Sequence, residues 1–283
     1  MTIQRITVVG AGTMGHGIAQ VAAQAGYDVV LQDVTGEMVE RGLARMKDNL
    51  AKGVEKGKLT ESQVRDALAR LRCSSDLREA TYGADLVIEA IVEELEAKKQ
   101  LLAQLESTCG TSTIFATNTS SLSIAAIASA AKTRGRVIGM HFFNPVHIMK
   151  LVEVVVGPET TSATQQSVID VASKMGKEAI SVKDFPGFAT SRLGVAVGLE
   201  AMRMVEQGVA SAEDIDKAMV LGYNHPMGPL RLTDLVGLDI RLSIADYLYK
   251  ELGSEVFRAP EILRSKVKEG KLGKKSGHGF YEW

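Results

Sequence analysis

The chain has 283 residues, enough for a sizeable core and for two domains. Its 33 Lys and Arg nearly balance 34 Asp and Glu, so no global basic field points to nucleic acid or to an anionic membrane surface as partner. The two cysteines, Cys73 and Cys109, form neither a CxxC pair nor a ligand cluster; free thiols in a reducing, cytoplasmic setting are expected, and no metal. Met1 leads straight into an apolar run without a charged n-region or cleavage site, and no apolar stretch nears the ~20 residues that a bilayer crossing needs. The expectation is a soluble, intracellular α/β protein.

The segment Ile3 to Asp33 carries the strongest local signal. An apolar β-branched run (Ile6, Val8, Val9) enters Gly10-Ala11-Gly12-Thr13-Met14-Gly15, and helical spacing follows through Ile18, Val21, Ala22 and Ala25. A second apolar run ends at Asp33, about eighteen residues past Gly15. Strand, tight turn, helix, strand and terminal acid are the parts of a dinucleotide-binding fingerprint. Gly10 permits the sharp turn, Gly12 lets backbone approach a pyrophosphate, and Gly15 lets helix and strand pack closely. The helix N-terminus offers unsatisfied N–H groups to phosphate. A glycine turn alone has a plain structural reading; the flanking strand, helix and acid favour the nucleotide.

Thr35 to Leu71 is predicted to form a helical hairpin projecting from the sheet, its second helix opening on the capping-box spacing Thr60-x-x-Gln63. Arg45, Lys47, Lys52 and Lys56 on its first helix are either a solvated basic face or a patch for a polyphosphate. Alternation then resumes, with strands at 84–90, 113–116, 136–143, 150–156 and 178–182 and helices at 93–105, 122–130 and 161–175. Repeated β-then-α units predict a doubly wound, mostly parallel sheet with ligands at the carboxyl ends of its strands. Composition shifts at Lys183-Asp184-Phe185-Pro186-Gly187. The boundary is placed at 184/185, and only helices are predicted beyond it: 190–207, 211–221 with Ser211 as N-cap, 230–252 and 260–268. Apolar rows such as Leu193, Val197, Ala201 and Val205 suggest that this small helical domain meets a second subunit.

Oxidation of an alcohol by a nicotinamide needs a group to take the hydroxyl proton, and histidine titrates near working pH. Of the five histidines, His16, His141, His147, His225 and His278, His141 ends an apolar strand, where ligands bind in this architecture. Glu153 lies within Leu151-Val152-Glu153-Val154-Val155-Val156, apolar on both faces, where an unpaired carboxylate would cost several kcal/mol. Either Glu153 faces water on an edge strand, or it pairs with His141 and fixes the imidazole. Asn118-Thr119-Ser120-Ser121 offers donors to a substrate oxygen, or simply caps the next helix through Ser121.

Taken together, GAGTMG, ATNTSSLSI, MHFFNPVHIMKLVEV, NHPMGPL, DLVGLD and GKLGKKSGHGFY resemble the L-3-hydroxyacyl-CoA dehydrogenases, most closely the short bacterial 3-hydroxybutyryl-CoA dehydrogenases. The likeness runs the length of the chain. It implies a Rossmann-like domain followed by a helical dimerisation domain, NAD as cofactor, and a short-chain 3-hydroxyacyl-CoA as substrate. On the matched motifs His141 is the base, Glu153 its partner, and Ser120 a contact to substrate and nicotinamide. Gly10, Gly12, Thr13, Met14 and Gly15 would hold the dinucleotide, Asp33 the adenosine ribose, and Glu93, Lys98, Asn144 and Lys275 further parts of the cofactor. Asn49 and Lys56 fall where the hairpin touches coenzyme A. One position departs: Ser191 stands where the family usually has an asparagine in PGF-x-x-Asn-Arg, and its hydroxyl can donate one hydrogen bond but is shorter and lacks the amide's fork. A dehydrogenase of a free sugar acid and a non-catalytic crystallin-like relative are the alternatives of similar fold.

Overall fold

The computed structural model describes residues 2–283. The chain divides into two compact units, one ending at Phe185 and the other beginning at Pro186. In the first unit the strands are β1 (Arg5–Val9), β2 (Asp28–Gln32), β3 (Leu71–Ser74), β4 (Leu86–Glu89), β5 (Ile114–Thr117), β6 (Val137–Phe142), β7 (Leu151–Val156) and β8 (Glu178–Lys183). They form one sheet in the order β3-β2-β1-β4-β5-β6-β7-β8. Every pair is parallel except β6 with β7. The helix-free connection at 143–150 is too short for the crossover that a parallel pair requires, so β7 must run back along β6.

Helices α1 (Gly15–Gln24), α2 (Gly36–Glu55), α3 (Glu61–Ala69), α4 (Leu77–Thr81), α5 (Leu95–Thr108), α6 (Ile124–Ala128) and α7 (Ser162–Lys174) accompany the sheet. β3 and α4 lack the apolar periodicity that would announce them: β3 is a four-residue edge strand, half-buried to exposed throughout. The α2–α3 hairpin packs on α1 along one face. Met46, Leu50 and Ala67 belong to the same buried cluster as Val8 and Ile18, and a Cβ at Gly42 would lie 2.7 Å from the Ala11 carbonyl oxygen. α2 therefore lies directly on the glycine turn. The Thr60–Gln63 capping box at α3 is made in full.

Chain reversal between β1's two neighbours, β2 and β4, opens a crevice at the carboxyl end of β1, and the glycine turn sits there. Gly10 has φ +99°, and a Cβ on it would meet the Ala90 carbonyl oxygen at 2.6 Å. A Cβ on Gly15 would lie 1.6 Å from the Gly10 carbonyl oxygen. Gly12 differs: nothing lies within 4 Å of its missing Cβ.

Asp184 belongs to the first unit, because its carboxylate accepts from Ser123 Oγ (2.9 Å) and from the Ala125 amide (2.7 Å) at the start of α6. The second unit comprises α8 (Thr190–Glu206), α9 (Ala212–Lys217), α10 (Pro229–Val236), α11 (Leu238–Leu252) and α12 (Glu261–Lys268). The single helix predicted over 230–252 is broken at Gly237, whose φ of +105° ends α10 and starts α11. Val195, Leu199, Met202, Leu230, Leu238, Leu248 and Leu263 form its core. Two buried acids order the rest. Asp216 accepts from the Leu230 and Arg231 amides at the start of α10 (2.8 and 2.9 Å). Asp234 holds the C-terminal tail through the amides of Phe280 and Tyr281 (both 2.9 Å) and Trp283 Nε1 (3.0 Å). Of the predicted apolar row on α8, Leu193 and Val197 are exposed while Ala201 is buried.

The glycines of the turn separate into two kinds. Gly15→Ala should lower unfolding free energy by about 1–3 kcal/mol or more through overpacking, whereas Gly12→Ala should change it by no more than about 0.5 kcal/mol. Urea titration of the two variants measures the contrast.

Candidate active site

His141 is the buried one of the five histidines, 7% exposed, near the end of β6. The antiparallel register sets it opposite Glu153 on β7, and His141 Nδ1 lies 2.7 Å from Glu153 Oε2. Because β8 covers the far side of β7, Glu153 is an interior-strand residue with no exposed surface. The water-facing, edge-strand alternative is therefore wrong. A wholly buried carboxylate needs compensation of this kind, since desolvation costs it several kcal/mol. The imidazole ring also meets Phe143, centroids 4.4 Å apart.

Beside this pair lies a polar network around Glu93, Lys98 and Glu89. Glu93 precedes α5, which begins at Leu95 rather than at 93, and its carboxylate is spent on the β5 turn. Glu93 Oε1 accepts from Thr119 Oγ1 (2.6 Å), the Ser120 amide (2.8 Å), Ser120 Oγ (3.3 Å) and the Ser121 amide (3.3 Å). Ser121 is thus not a helix cap; Ser123 takes that place, accepting from the Ala126 amide at α6. Asn118 Oδ1 accepts from the Phe142 amide (2.9 Å), tying this turn to the strand end that bears His141.

Lys98 is 1% exposed and donates to Glu89 Oε1 at 2.6 Å, with Glu93 Oε2 at 3.4 Å. Glu89 also accepts from the Ile91 amide (2.7 Å) and Thr117 Oγ1 (2.6 Å). Glu89 is a buried acid at the end of an apolar strand, a position that calls for such partners.

At the glycine turn, Asp33 accepts from the Ala11 amide through Oδ2 and from the Val34 amide through Oδ1, both at 2.7 Å. A cavity of about 390 Å³ lies against Gly10, Gln32, Asp33, Val34 and Ile91. No side chain caps the start of α1. Open space over Gly12, an uncapped helix start and an acid-lined cavity suit a dinucleotide's pyrophosphate and ribose. A larger concavity of about 720 Å³ opens at the opposite, amino ends of β1 and β2 beside Arg5 and Asp28.

Thr13 and Asn144 are exposed, Met14 and Asn49 half-buried, and Lys56 is the exposed C-cap of α2. Ser191 is the second residue of α8, and Lys275 Nζ pairs with Asp239 Oδ2 at 2.6 Å in the helical unit. Both cysteines are free. Among the described residues no cluster of His, Cys, Asp and Glu is arranged to hold a metal ion, and no helix is long and apolar enough to cross a membrane.

A doubly wound sheet with a fingerprint turn, and a buried histidine–carboxylate pair at strand ends, define a nucleotide-dependent oxidoreductase. Residues 5–185 match the family model "3-hydroxyacyl-CoA dehydrogenase, NAD binding domain", and residues 187–283 match "3-hydroxyacyl-CoA dehydrogenase, C-terminal domain". The chain belongs to the 3-hydroxyacyl-CoA dehydrogenase family, and its cofactor is NAD. It is 50% identical to the probable 3-hydroxybutyryl-CoA dehydrogenase of Bacillus subtilis, over 100% of this chain and 98% of the relative. With the human mitochondrial hydroxyacyl-coenzyme A dehydrogenase it shares 43% identity over 99% of this chain and 91% of the relative. The crystal structure of (S)-3-hydroxybutyryl-CoA dehydrogenase PaaH1 from Ralstonia eutropha superposes with a TM-score of 0.96 at 40% identity, covering 100% of this chain and 99% of that one.

The Glu89–Lys98 pair gives a clear expectation for stability. Lys98→Met leaves Glu89 buried without its cation and should cost about 3–5 kcal/mol. Adding Glu89→Gln should recover much of that loss, as read by denaturant unfolding of the single and double variants.

Proposed function

We propose that this enzyme interconverts 3-hydroxybutyryl-CoA, a short-chain (S)-3-hydroxyacyl-CoA, and acetoacetyl-CoA. The observation that carries the reading is the 2.7 Å contact between His141 and the buried Glu153 at the carboxyl end of the sheet. NAD, when bound, supplies the hydride acceptor. His141 takes the 3-hydroxyl proton as the C3 hydride departs, and in reverse it returns that proton to the ketone oxygen. Glu153 holds the imidazole by Nδ1 and stabilises the imidazolium that forms. With substrate bound, the Ser120 hydroxyl proton turns from Glu93 to the substrate oxygen, while the Ser120 amide keeps its bond to Glu93.

The open turn at Gly10, Gly12, Thr13, Met14 and Gly15 fits the cofactor's pyrophosphate. Asp33 accepts from the ribose hydroxyls and so disfavours the 2′-phosphate of NADP. Glu93 and Asn144 contribute further cofactor contacts, Lys98, which is buried, acts on the cofactor only through its neighbour Glu93, and Asn49 and Lys56 contact coenzyme A. Ser191, for the substrate, and Lys275, for the cofactor, are assigned on the matched motifs alone. Two free cysteines accord with a cytoplasmic setting. A homodimer joined through the helical unit is supported by its exposed Leu193, Val197, Leu232, Leu235 and Ile240. Sedimentation at micromolar concentration should return twice the chain mass; the mass of one chain would overturn the dimer.

His141→Ala should lower kcat for acetoacetyl-CoA reduction by about 10²–10⁴-fold while leaving NADH affinity unchanged by fluorescence titration. Near-normal turnover in that variant would remove His141 from the mechanism. Parallel initial rates with acetoacetyl-CoA and a free sugar acid, each with NADH and NADPH, separate this reading from a sugar-acid dehydrogenase and test the cofactor choice.

A further inference from the structure

The amino ends of β1, β2 and β3 form the floor of the concavity of about 720 Å³, on the face of the sheet turned away from α1. Ile6 and Val29 belong to the buried cluster shared with α1, and Leu71 packs on it. Alternation along each strand therefore turns Arg5, Thr7, Asp28, Val30 and Arg72 to the other side. The parallel register aligns them, Arg5 opposite Asp28, Thr7 opposite Val30, and Val30 opposite Arg72. α4 docks on this face where Thr7 Oγ1 donates to the Ala80 carbonyl oxygen at 2.6 Å. The helix has only five residues, so it leaves Val30 half-buried at the bottom of the hollow.

Every cation lining this hollow is an arginine: Arg5 on β1, Arg70 just before β3, Arg72 on β3 and Arg78 on α4. Arg70 has a partner, its Nη1 lying 3.5 Å from Asp28 Oδ1. The remaining acids are engaged as well. Asp76 Oδ1 accepts from the Glu79 amide (2.9 Å), and Glu79 Oε2 accepts from Ser74 Oγ (2.6 Å). Among the described residues Arg5, Arg72 and Arg78 form no ion pair, although three elements bring them to one hollow. Arg5 rests on the turn that ends α4, where a Cβ on Gly83 would lie 2.5 Å from its Nη1. Tyr82, in that turn, lines the hollow with 82% of its surface exposed. α4 and the turn before it form a wall shared with the cofactor cavity: Ser75 and Leu77 line the cofactor side, and Asp76, Arg78 and Glu79 line this one.

A guanidinium grips phosphate through paired N–H donors, and three without acids call for more than one anionic group. An apolar floor and a bare aromatic ring suit a flat ring system. Asp28 and Glu79 keep acceptor capacity for hydroxyl or amino hydrogens. Inorganic phosphate would use only the first of these features. We propose that the concavity is a second nucleotide site that takes a nucleoside polyphosphate, its phosphates on Arg5, Arg72 and Arg78 and its base on Tyr82. The site lies at the opposite end of the strands from the dinucleotide turn, so both are filled at once.

Calorimetric titration of ATP into the full-length protein saturated with NADH reads this site while the cofactor crevice is occupied. Wild type should bind ATP, and Arg72→Gln/Arg78→Gln should weaken that binding by about tenfold or more. Tyr82→Ala should weaken it by about fivefold or more, and inorganic tripolyphosphate should bind wild type about tenfold less tightly than ATP. Acetoacetyl-CoA reduction without ATP should be unchanged in both variants, which alter exposed side chains only. Equal ATP affinity in wild type and the arginine variant would put the nucleotide elsewhere and overturn the site. Tripolyphosphate binding wild type as tightly as ATP, a comparison that needs no variant, would overturn the nucleotide assignment. Absence of ATP binding to wild type at millimolar nucleotide would overturn the proposal and leave the dehydrogenase reading untouched.

Discussion

A carboxylate cannot lie inside a sheet without a partner, and the burial of Glu153 sets the terms for everything around it. β7 is an interior strand, so Glu153 has no route to water. The short connection at 143–150 reverses the chain, and the resulting antiparallel register brings His141 directly across from it. A slip of one residue would turn Glu153 to the other face of the sheet and leave the charge unmatched. Register, strand direction and the histidine contact are thus one constraint. β8 pairs along the other side of β7 and makes it an interior strand.

The same physics operates two strands away. Glu89, at the end of β4, is satisfied by Lys98, Thr117 Oγ1 and the Ile91 amide. Lys98 in turn lies near Glu93, which gathers the Thr119–Ser121 turn. Asn118 then joins that turn to β6 beside His141. Ion pairs, charge-assisted hydrogen bonds and one neutral amide bond, from Phe142 to Asn118, link β4 through α5 and β5 to β6. Such a network tolerates little loss, because removing one member strands another in a low-dielectric interior. Rigid placement of Ser120 and His141 follows from it, and the proposed chemistry depends on that rigidity.

Exposed lysines stand outside this buried network. Lys56 and Lys58 follow α2, and α2 is seated on the glycine turn because Gly42 allows backbone contact with Ala11. The proposed CoA contacts are therefore coupled mechanically to the cofactor turn. Lys177 adds a buried cation whose hydrogen bonds go to carbonyl oxygens rather than to an acid, shaping the loop between β6 and β7.

Much of this was legible in the chain. The fingerprint from β1 to Asp33, the strand-and-helix alternation, the helical second half and the unusual Glu153 follow from local periodicity, turn residues and the cost of a charge in an apolar run. Those are properties of neighbours along the sequence. Elements without periodicity escaped: β3 and α4 are short and partly exposed, and the break at Gly237 depends on one positive φ inside an otherwise continuous pattern. The hairpin's seat on α1 is not legible in the sequence, because its apolar spacing gives no direction to the buried face. Glu89 shows the limit most plainly, since its partners lie on α5 and β5 and no local pattern connects them. Local sequence determined which residues needed partners. Tertiary structure alone decided who those partners are, because strand order and register set the distances on which hydrogen bonds and ion pairs depend.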